Sequence, residues 1–446
     1  MNYKEKFRKV SVLGAGGKMG SGILLLTAME MFRLAREDPE STQSFQLNAI
    51  DVSEESLRGV MDYLRGQIRK AGEKQIVNLR HVYSKQADLI ENGEIIDQYI
   101  LDVMKLVKTG TSLDLARDSS LVYEAVSENP ELKVKLIREI EGVSGSKTWY
   151  LTNTSSIPIG KLDKDAGLGG RIIGFHFYNP PAVQRLVELI ASEKTLPELK
   201  SFSVDFAKAM RKKLVPSNDI AGFVGNGHFM RDLLFAARQV EKLSKDHSLP
   251  QSIWIINRVT QDFLIRPMGI FQLTDYVGVD VCQYIMQVMD PYMDGENLRC
   301  GLIDRLMEQE VRGGQNPDGS QKNGILSYEK GRITGIWDMD KKDYIPVDTI
   351  EGKVTPVLGS LPPGHMPWKD IIRDPDKSGK LESYFKSLTG EQSTGAKLAK
   401  EYGRNSRQIG ELLVEKKVAA STNDVNMVLL TGFFHAYGPV NNYFDN

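Results

Sequence analysis

The chain has 446 residues, 41% hydrophobic and 26% charged, with a formal net charge of −1, so it holds more than one domain and offers no charge surplus for a nucleic acid or a membrane surface. No apolar run reaches the roughly 18–20 residues that cross a bilayer, and no apolar segment follows "MNYKEKFRKV" before Gly14, which argues against a signal peptide and for a cytoplasmic enzyme. Two cysteines, Cys282 and Cys300, make no disulfide framework and cannot alone supply a four-ligand zinc site, so no metal is expected.

The first element is "KVSVLGAGGKMGSGI", residues 9–23. A short β-branched strand runs into a glycine turn, and a helix starts near Lys18 with Ile23, Leu24, Leu25 and Leu26 turned inward. Gly14, Gly16 and Gly20 give GxGxxxG, one residue longer than the usual dinucleotide fingerprint; counting from Ala15 gives AxGxxG with Gly17 and Gly20. In such a turn one glycine allows the bend and one lets backbone approach a pyrophosphate. Another lets helix and strand pack closely. A purely structural turn reads the same way. "FQLNAID" is the second strand, and its terminal Asp51 is placed to accept ribose hydroxyls and repel a 2′-phosphate, which favours NAD over NADP; it could also cap a helix. The preceding "REDPESTQSF" reads as a polar loop.

From Glu54 to Leu106 the pattern is helical. Leu57, Val60, Met61, Leu64 and Ile68 share one face, and Ile96, Tyr99, Ile100, Val103 and Met104 another, which predicts a helical hairpin inserted after the second strand. Strands follow at 120–126, 148–153, 171–177 and 185–190. Polar residues end three of them: Glu128 and Asn129; Asn153, Thr154, Ser155 and Ser156; and His176. In an open α/β sheet, ligands bind beyond the carboxyl ends of the strands, so these groups converge beside the glycine turn. Each has a plainer reading as well. Ser155 would serve as a turn cap before Pro158, and His176 as a satisfied core histidine.

"VPSNDIAGFVGN" reads as a linker with a boundary near Ser217. Phe229, Leu233, Leu234, Ala237 and Val240 then share a helical face, and the helical pattern runs to about Val288, broken at Pro267 and Gly269. "RGGQNPDGSQKNG" reads as a loop and "GRITGIWDMDKKDYIPV" as a small hairpin. Finally, "DVNMVLLTGFFHAYGPVNNYF" echoes "SIWIINRVTQDFLIRPMGIFQLTDYV": an apolar helix, an aromatic, a Gly/Pro turn, a further helix start. Met427, Leu430, Phe433 and Phe434 form an apolar stripe there that is expected to pack on something.

The segments "EAVSEN", "NTSSIPI", "GFHFYNPPAVQRLVELI", "DIAGFVGN" and "RPMGIFQLTDYVGVD", in this order and spacing, resemble the NAD-dependent L-3-hydroxyacyl-CoA dehydrogenases over residues 1 to about 290, with weaker similarity at "NGILSYEKG". The resemblance implies an α/β doubly wound (Rossmann-type) NAD-binding domain at 1–217 with the inserted hairpin. A helical, dimer-forming domain follows at 218–346. An additional segment at 347–446 is similar to a partial second copy of the helical domain, since long members of the family duplicate it.

The resemblance also implies roles. His176 matches the catalytic histidine and Glu188 its carboxylate partner, while Ser155 and Asn226 match the residues that hold the substrate oxygen. Gly14, Gly16, Gly17, Met19, Asp51, Glu128 and Lys133 lie where the family contacts NAD. Arg69, Lys70 and Lys74 lie where it meets the CoA phosphates. The chemistry suits these residues. A histidine near its reference pKa of about 6.5 can take a hydroxyl proton at neutral pH, a carboxylate stabilises the imidazolium, and hydrogen-bond donors suit an oxygen whose charge changes. Two departures stand out: the longer glycine turn, and Gly227-His228 after Asn226, where the family usually places arginine. The expected activity is reversible oxidation of an L-3-hydroxyacyl-CoA by a homodimer. The alternatives are an NAD-dependent dehydrogenase of a free hydroxy acid and a non-catalytic NAD-binding protein.

Overall fold

The computed structural model describes residues 3–37, 44–144, 147–293, 295–316 and 319–445. The polar loop expected at 36–45 lies mostly outside the described residues, as do two positions of the turn-rich stretch at 312–324. The chain forms two compact units, Met1–Asp219 and Ile220–Asn446.

The first unit is built on eight strands: β1 (Lys9–Leu13), β2 (Gln46–Ile50), β3 (Val107–Gly110), β4 (Leu121–Glu124), β5 (Trp149–Thr152), β6 (Ile172–Phe177), β7 (Leu186–Ala191) and β8 (Lys213–Asn218). They lie in the order β3-β2-β1-β4-β5-β6-β7-β8, parallel except for the antiparallel β6–β7 pair. The order reverses between β1 and β4, the switch point at which doubly wound sheets bind ligands. The central strands β4, β5 and β6 are buried at every residue, which explains why they appear in the sequence as apolar runs without alternation. Helix Lys18–Arg36 covers β1 with Ile23, Leu24 and Leu25, while Leu26 is only half-buried. Helices Glu54–Lys74 and Asn92–Met104 form the inserted hairpin. Leu57, Val60, Leu64 and Ile68 bury with Ile96, Tyr99, Ile100 and Val103, and Met61 and Met104 sit at the margin.

One expectation fails at the end of this unit. The stretch read as a linker from Val215 is strand for its first four residues, because β8 runs through Pro216 and Ser217 to Asn218. As an edge strand paired only with β7, it tolerates a proline that has no N–H to give.

In the second unit, helices Gly225–Leu243 and Leu249–Arg258 pack through Phe229, Leu233, Ala237, Val240 and Ile255. Residues 347–446 share this core. Helices Val347–Leu358, Lys377–Gly390 and Thr394–Glu415 contribute Val354, Leu388, Ala399 and Tyr402, and Phe444 joins them. The expected hairpin is β10 (Arg332–Asp338) with β11 (Asp343–Pro346), and β9 (Leu326–Glu329) adds a third antiparallel strand.

Two readings of the tail are corrected. Helix Thr422–Gly432 is not followed by a second helix, so the echo of 252–277 is only half kept. The chain folds back instead: Asn426 accepts from the Val440 N–H and donates to its carbonyl, both at 2.9 Å. The expected apolar stripe packs only in part: the Phe433 ring lies 5.9 Å from that of Phe229 and joins the core, Met427 and Leu430 are half-buried, and Phe434 is exposed, while the fully buried residues of that helix are Val425, Val428 and Leu429. No helix among the described residues is long and apolar enough to cross a membrane.

Candidate functional site

The glycine turn closes over the ends of β1 and β4. Gly14 has φ +72°, and a Cβ there would lie 2.6 Å from the Ala125 carbonyl oxygen. A Cβ at Gly20 would lie 2.0 Å from the Gly14 oxygen, so the helix can approach the turn only with glycine at this position. The GxGxxxG spacing is therefore the one the packing requires. The Gly16 amide donates to Asp51 Oδ2 at 2.9 Å, and Asp51 Oδ1 accepts from Ser53 N–H at 3.2 Å. Asp51 does not cap the next helix. Ser53 does, accepting from Ser56 N–H. A carboxylate offers about four lone-pair sites, so Asp51 keeps capacity for two hydroxyls.

Beside this turn opens a cavity of about 850 Å³ at the ends of β1, β2 and β4. Gly14, Gly17 and Asp51 line it, with an apolar wall that includes Val126, Leu132 and Leu136. Gly17 is the N-cap of helix Lys18–Arg36 and makes no side-chain cap, so the positive end of that helix's dipole faces the turn without a capping side chain. Size, apolar wall, carboxylate and helix terminus together fit a dinucleotide. Met19 is half-buried on the first turn of that helix.

At the end of β4 lies a buried charge cluster. The Lys133 ammonium donates to both oxygens of Glu124, at 2.8 and 2.9 Å, and lies 3.3 Å from Glu128 Oε2. Glu128 Oε1 accepts from Thr154 Oγ1 (2.6 Å), from the amides of Ser155 and Ser156 (2.8 and 3.0 Å) and from Ser156 Oγ (2.9 Å). Burial alone would push the Glu128 carboxyl up, but the charge of Lys133 and these donors outweigh it and hold it below its ordinary value. Burial likewise works against the Lys133 charge, yet the two carboxylates win and raise its proton affinity. Lys133, expected at the cofactor, is thus committed to Glu124, a residue the sequence reading passed over. The available signal was a glutamate inside an apolar strand, with a lysine nine residues later. Lys133→Met leaves Glu124 buried and unpaired, so it is expected to cost about 3–5 kcal/mol, measured by chemical denaturation.

The neighbouring strand ends carry the second cluster. β6 and β7 are antiparallel, and their register sets His176 directly opposite Glu188, which turns a separation of twelve residues into a cross-strand contact. His176 Nδ1 lies 3.3 Å from Glu188 Oε1, and Glu188 is fully buried. The same oxygen accepts from the Tyr178 hydroxyl at 2.6 Å, with the His176 and Tyr178 rings 4.9 Å apart. Tyr178 was embedded in "GFHFYNPP" and carried no signal of its own. Asn153 ties the clusters together: its Oδ1 accepts from Phe177 N–H at 2.9 Å, joining the loop that bears Ser155 to the strand that bears His176.

Asp51, Glu128, Ser155 and His176 thus stand at or just beyond the carboxyl ends of strands of the first unit, with Glu188 opposite His176 on β7 and Lys133 on helix Pro130–Ser144. Arg69, Lys70 and Lys74 are exposed on helix Glu54–Lys74, with Arg69 paired to Asp97 at 2.6 Å, and none lines the cavity. Asn226 sits on the first turn of helix Gly225–Leu243 in the second unit. His228, the departure noted in that stretch, is buried, and its Nε2 lies 3.1 Å from the Ser406 carbonyl oxygen. Burial pushes this imidazole down to about 4, so at neutral pH it is uncharged and donates from Nε2.

Comparison with known proteins gives consistent matches. Residues 9–220 match the family model described as 3-hydroxyacyl-CoA dehydrogenase, NAD binding domain, and residues 222–322 match its C-terminal domain. The fatty acid oxidation complex subunit alpha of Shewanella oneidensis is 28% identical over 326 residues, 73% of this chain. The chain spans about two-fifths (41%) of that relative's length. FadB2 of M. tuberculosis aligns over 72% of this chain and 99% of its own, with 25% identity and a TM-score of 0.54. The 3-hydroxybutyryl-CoA dehydrogenase of Escherichia coli shares the fold over 97% of this chain and 90% of its own, with 19% identity and a TM-score of 0.62.

Proposed function

The chain belongs to the 3-hydroxyacyl-CoA dehydrogenase family, and on that premise we propose that it oxidises an L-3-hydroxyacyl-CoA to the 3-oxoacyl-CoA, reversibly, with NAD. The observation that carries the reading is the His176–Glu188 pair at the sheet edge that also bears the glycine turn and Asp51. The glycine turn and Asp51 would hold the dinucleotide, whose nicotinamide would supply the acceptor for the hydride of the carbinol carbon. His176 accepts the hydroxyl proton on Nε2, since Nδ1 faces Glu188, and the carboxylate stabilises the imidazolium that results. Ser155 donates to the substrate oxygen as a carbonyl forms there. Asn226 shares that task by its family resemblance. Glu128 and Lys133 order the Ser155 loop beside the cofactor. Arg69, Lys70 and Lys74 offer cations for the CoA phosphates. The chain works in the cytoplasm on fatty-acid-derived thioesters, as a homodimer formed through its helical unit. Sedimentation velocity tests the last point.

The test of the reaction is steady-state NADH oxidation with acetoacetyl-CoA against free acetoacetate. Turnover with the thioester supports the proposal; turnover with the free acid alone establishes the free hydroxy acid dehydrogenase in its place, and turnover with neither a non-catalytic NAD-binding protein. NAD is expected to be preferred over NADP by about 10- to 100-fold in kcat/KM, because Asp51 opposes a 2′-phosphate at a cost of about 1–3 kcal/mol. Equal kcat/KM for the two cofactors contradicts the role of Asp51.

A further inference from the structure

Glu188 is asked to serve one imidazole, yet its Oε1 serves two groups. The Tyr178 hydroxyl reaches that oxygen at 2.6 Å, closer than His176 Nδ1 at 3.3 Å. We propose that Tyr178 is a positioning residue that shares the Glu188 carboxylate with His176, fixing its orientation and tempering the basicity of the histidine. The proposal rests on the dehydrogenase reading above.

Tyr178 follows β6 directly, its ring packs 4.9 Å from that of His176, and its hydroxyl points at the one carboxylate oxygen that faces the imidazole. Across β6 that carboxylate faces His176 and Tyr178. Across β8 its neighbour is Val215, which carries no charge. A phenol donating to a carboxylate oxygen draws off part of its negative charge, so less remains to hold the imidazolium. Burial, reinforced by Glu188 itself, pushes the phenol well above its ordinary value, so it stays a donor at every pH where a histidine titrates. The short bond also pins the carboxylate rotamer and keeps Oε1 turned toward His176. Two effects follow when the hydroxyl is removed. The carboxylate attracts the imidazolium more strongly, and it loses one of the contacts that aim it.

The sign can be worked out. Alcohol oxidation needs His176 unprotonated, so the rate falls on the acid side as the imidazole binds a proton. In Tyr178→Phe the proton is held more tightly, and the acid limb of the kcat profile moves to higher pH. A shift of about half a unit to one unit corresponds to part of a hydrogen bond to a charged group. Glu188→Gln moves the limb the opposite way, to lower pH, because the imidazolium loses its counter-charge. Adding Tyr178→Phe to Glu188→Gln then produces no further upward shift.

The experiment is the pH dependence of kcat for the full chain, with NAD and 3-hydroxybutyryl-CoA, in the parent, Tyr178→Phe, Glu188→Gln and the double variant. An upward shift in Tyr178→Phe that disappears in the Glu188→Gln background supports the proposal. An unmoved limb overturns it, and so does a shift that persists without the carboxylate. If the parent fails to turn over the thioester, the dehydrogenase reading fails instead. The His176 Cε1–H resonance, titrated by NMR in the parent and in Tyr178→Phe, then decides the tyrosine's role alone: a midpoint displaced upward supports it and an unchanged midpoint overturns it.

Discussion

His176→Gln is expected to lose about 10²–10⁴-fold in kcat, the usual worth of general acid–base catalysis, while NAD still binds. Glutamine fills much of the imidazole's space and keeps a hydrogen-bonding end near Glu188, but it cannot take up and return a proton. The cavity for the dinucleotide is lined by neither His176 nor Glu188, so the substitution leaves the glycine turn and Asp51 as they were. Stopped-flow NADH formation measures the loss, and fluorescence titration measures cofactor binding. Near-normal kcat in the variant makes His176 an ordinary buried histidine at a strand pair.

Truncation after Val347 is expected to destroy the second unit while sparing the first. The deleted tail contributes Tyr384, Phe385, Tyr402 and Phe444 to the core that also holds Phe229, Ile255 and Phe263. At about 1.5–3 kcal/mol for each large apolar side chain buried, these four alone supply about 6–12 kcal/mol, as much as the whole stability of a typical domain. Polar contacts go with them. Tyr384 donates to the Phe263 carbonyl at 2.9 Å, and Tyr402 to that of Asp232 at 3.0 Å. Arg266, paired with Asp232 at 2.6 Å, also loses Ser406. The core of the first unit draws on residues up to Ala207 and needs none of this. The truncated chain is therefore expected to aggregate or change its oligomeric state, seen by light scattering, while any dispersed remainder still titrates with NAD. An unchanged oligomer shows the tail to be dispensable.

The sequence revealed most where local chemistry and burial coincide. The central strands announced themselves as short apolar runs because parallel strands covered on both faces have no polar side to show. The hairpin helices were visible because one face of each is buried and the other is not. His176 stood out as a polar residue at a strand end and Glu188 was implied by the family resemblance, but their contact depends on β6 and β7 being antiparallel within an otherwise parallel sheet, which no local pattern encodes. Edge strands hid for the opposite reason. β3 buries only Val107, and β8 alternates weakly around Pro216, so both resemble loop. Glu124 and Tyr178 hid because their partners are distant in type or register: a buried lysine one helix later, and a carboxylate on the next strand. The tail misled by its composition. Its aromatic, glycine and proline residues imitate a helix start, but Asn426 stitches the chain back to its own helix at Val440.

The central claim is that the His176 site reduces a 3-oxoacyl thioester with NADH. Its most direct test is a single turnover of the full chain, preloaded with NADH and mixed with excess acetoacetyl-CoA, followed by nicotinamide absorbance and by identification of the product. The account predicts one NADH consumed per occupied site and one 3-hydroxybutyryl-CoA formed, both suppressed in His176→Gln. Bound NADH that persists unchanged in the presence of the thioester contradicts it.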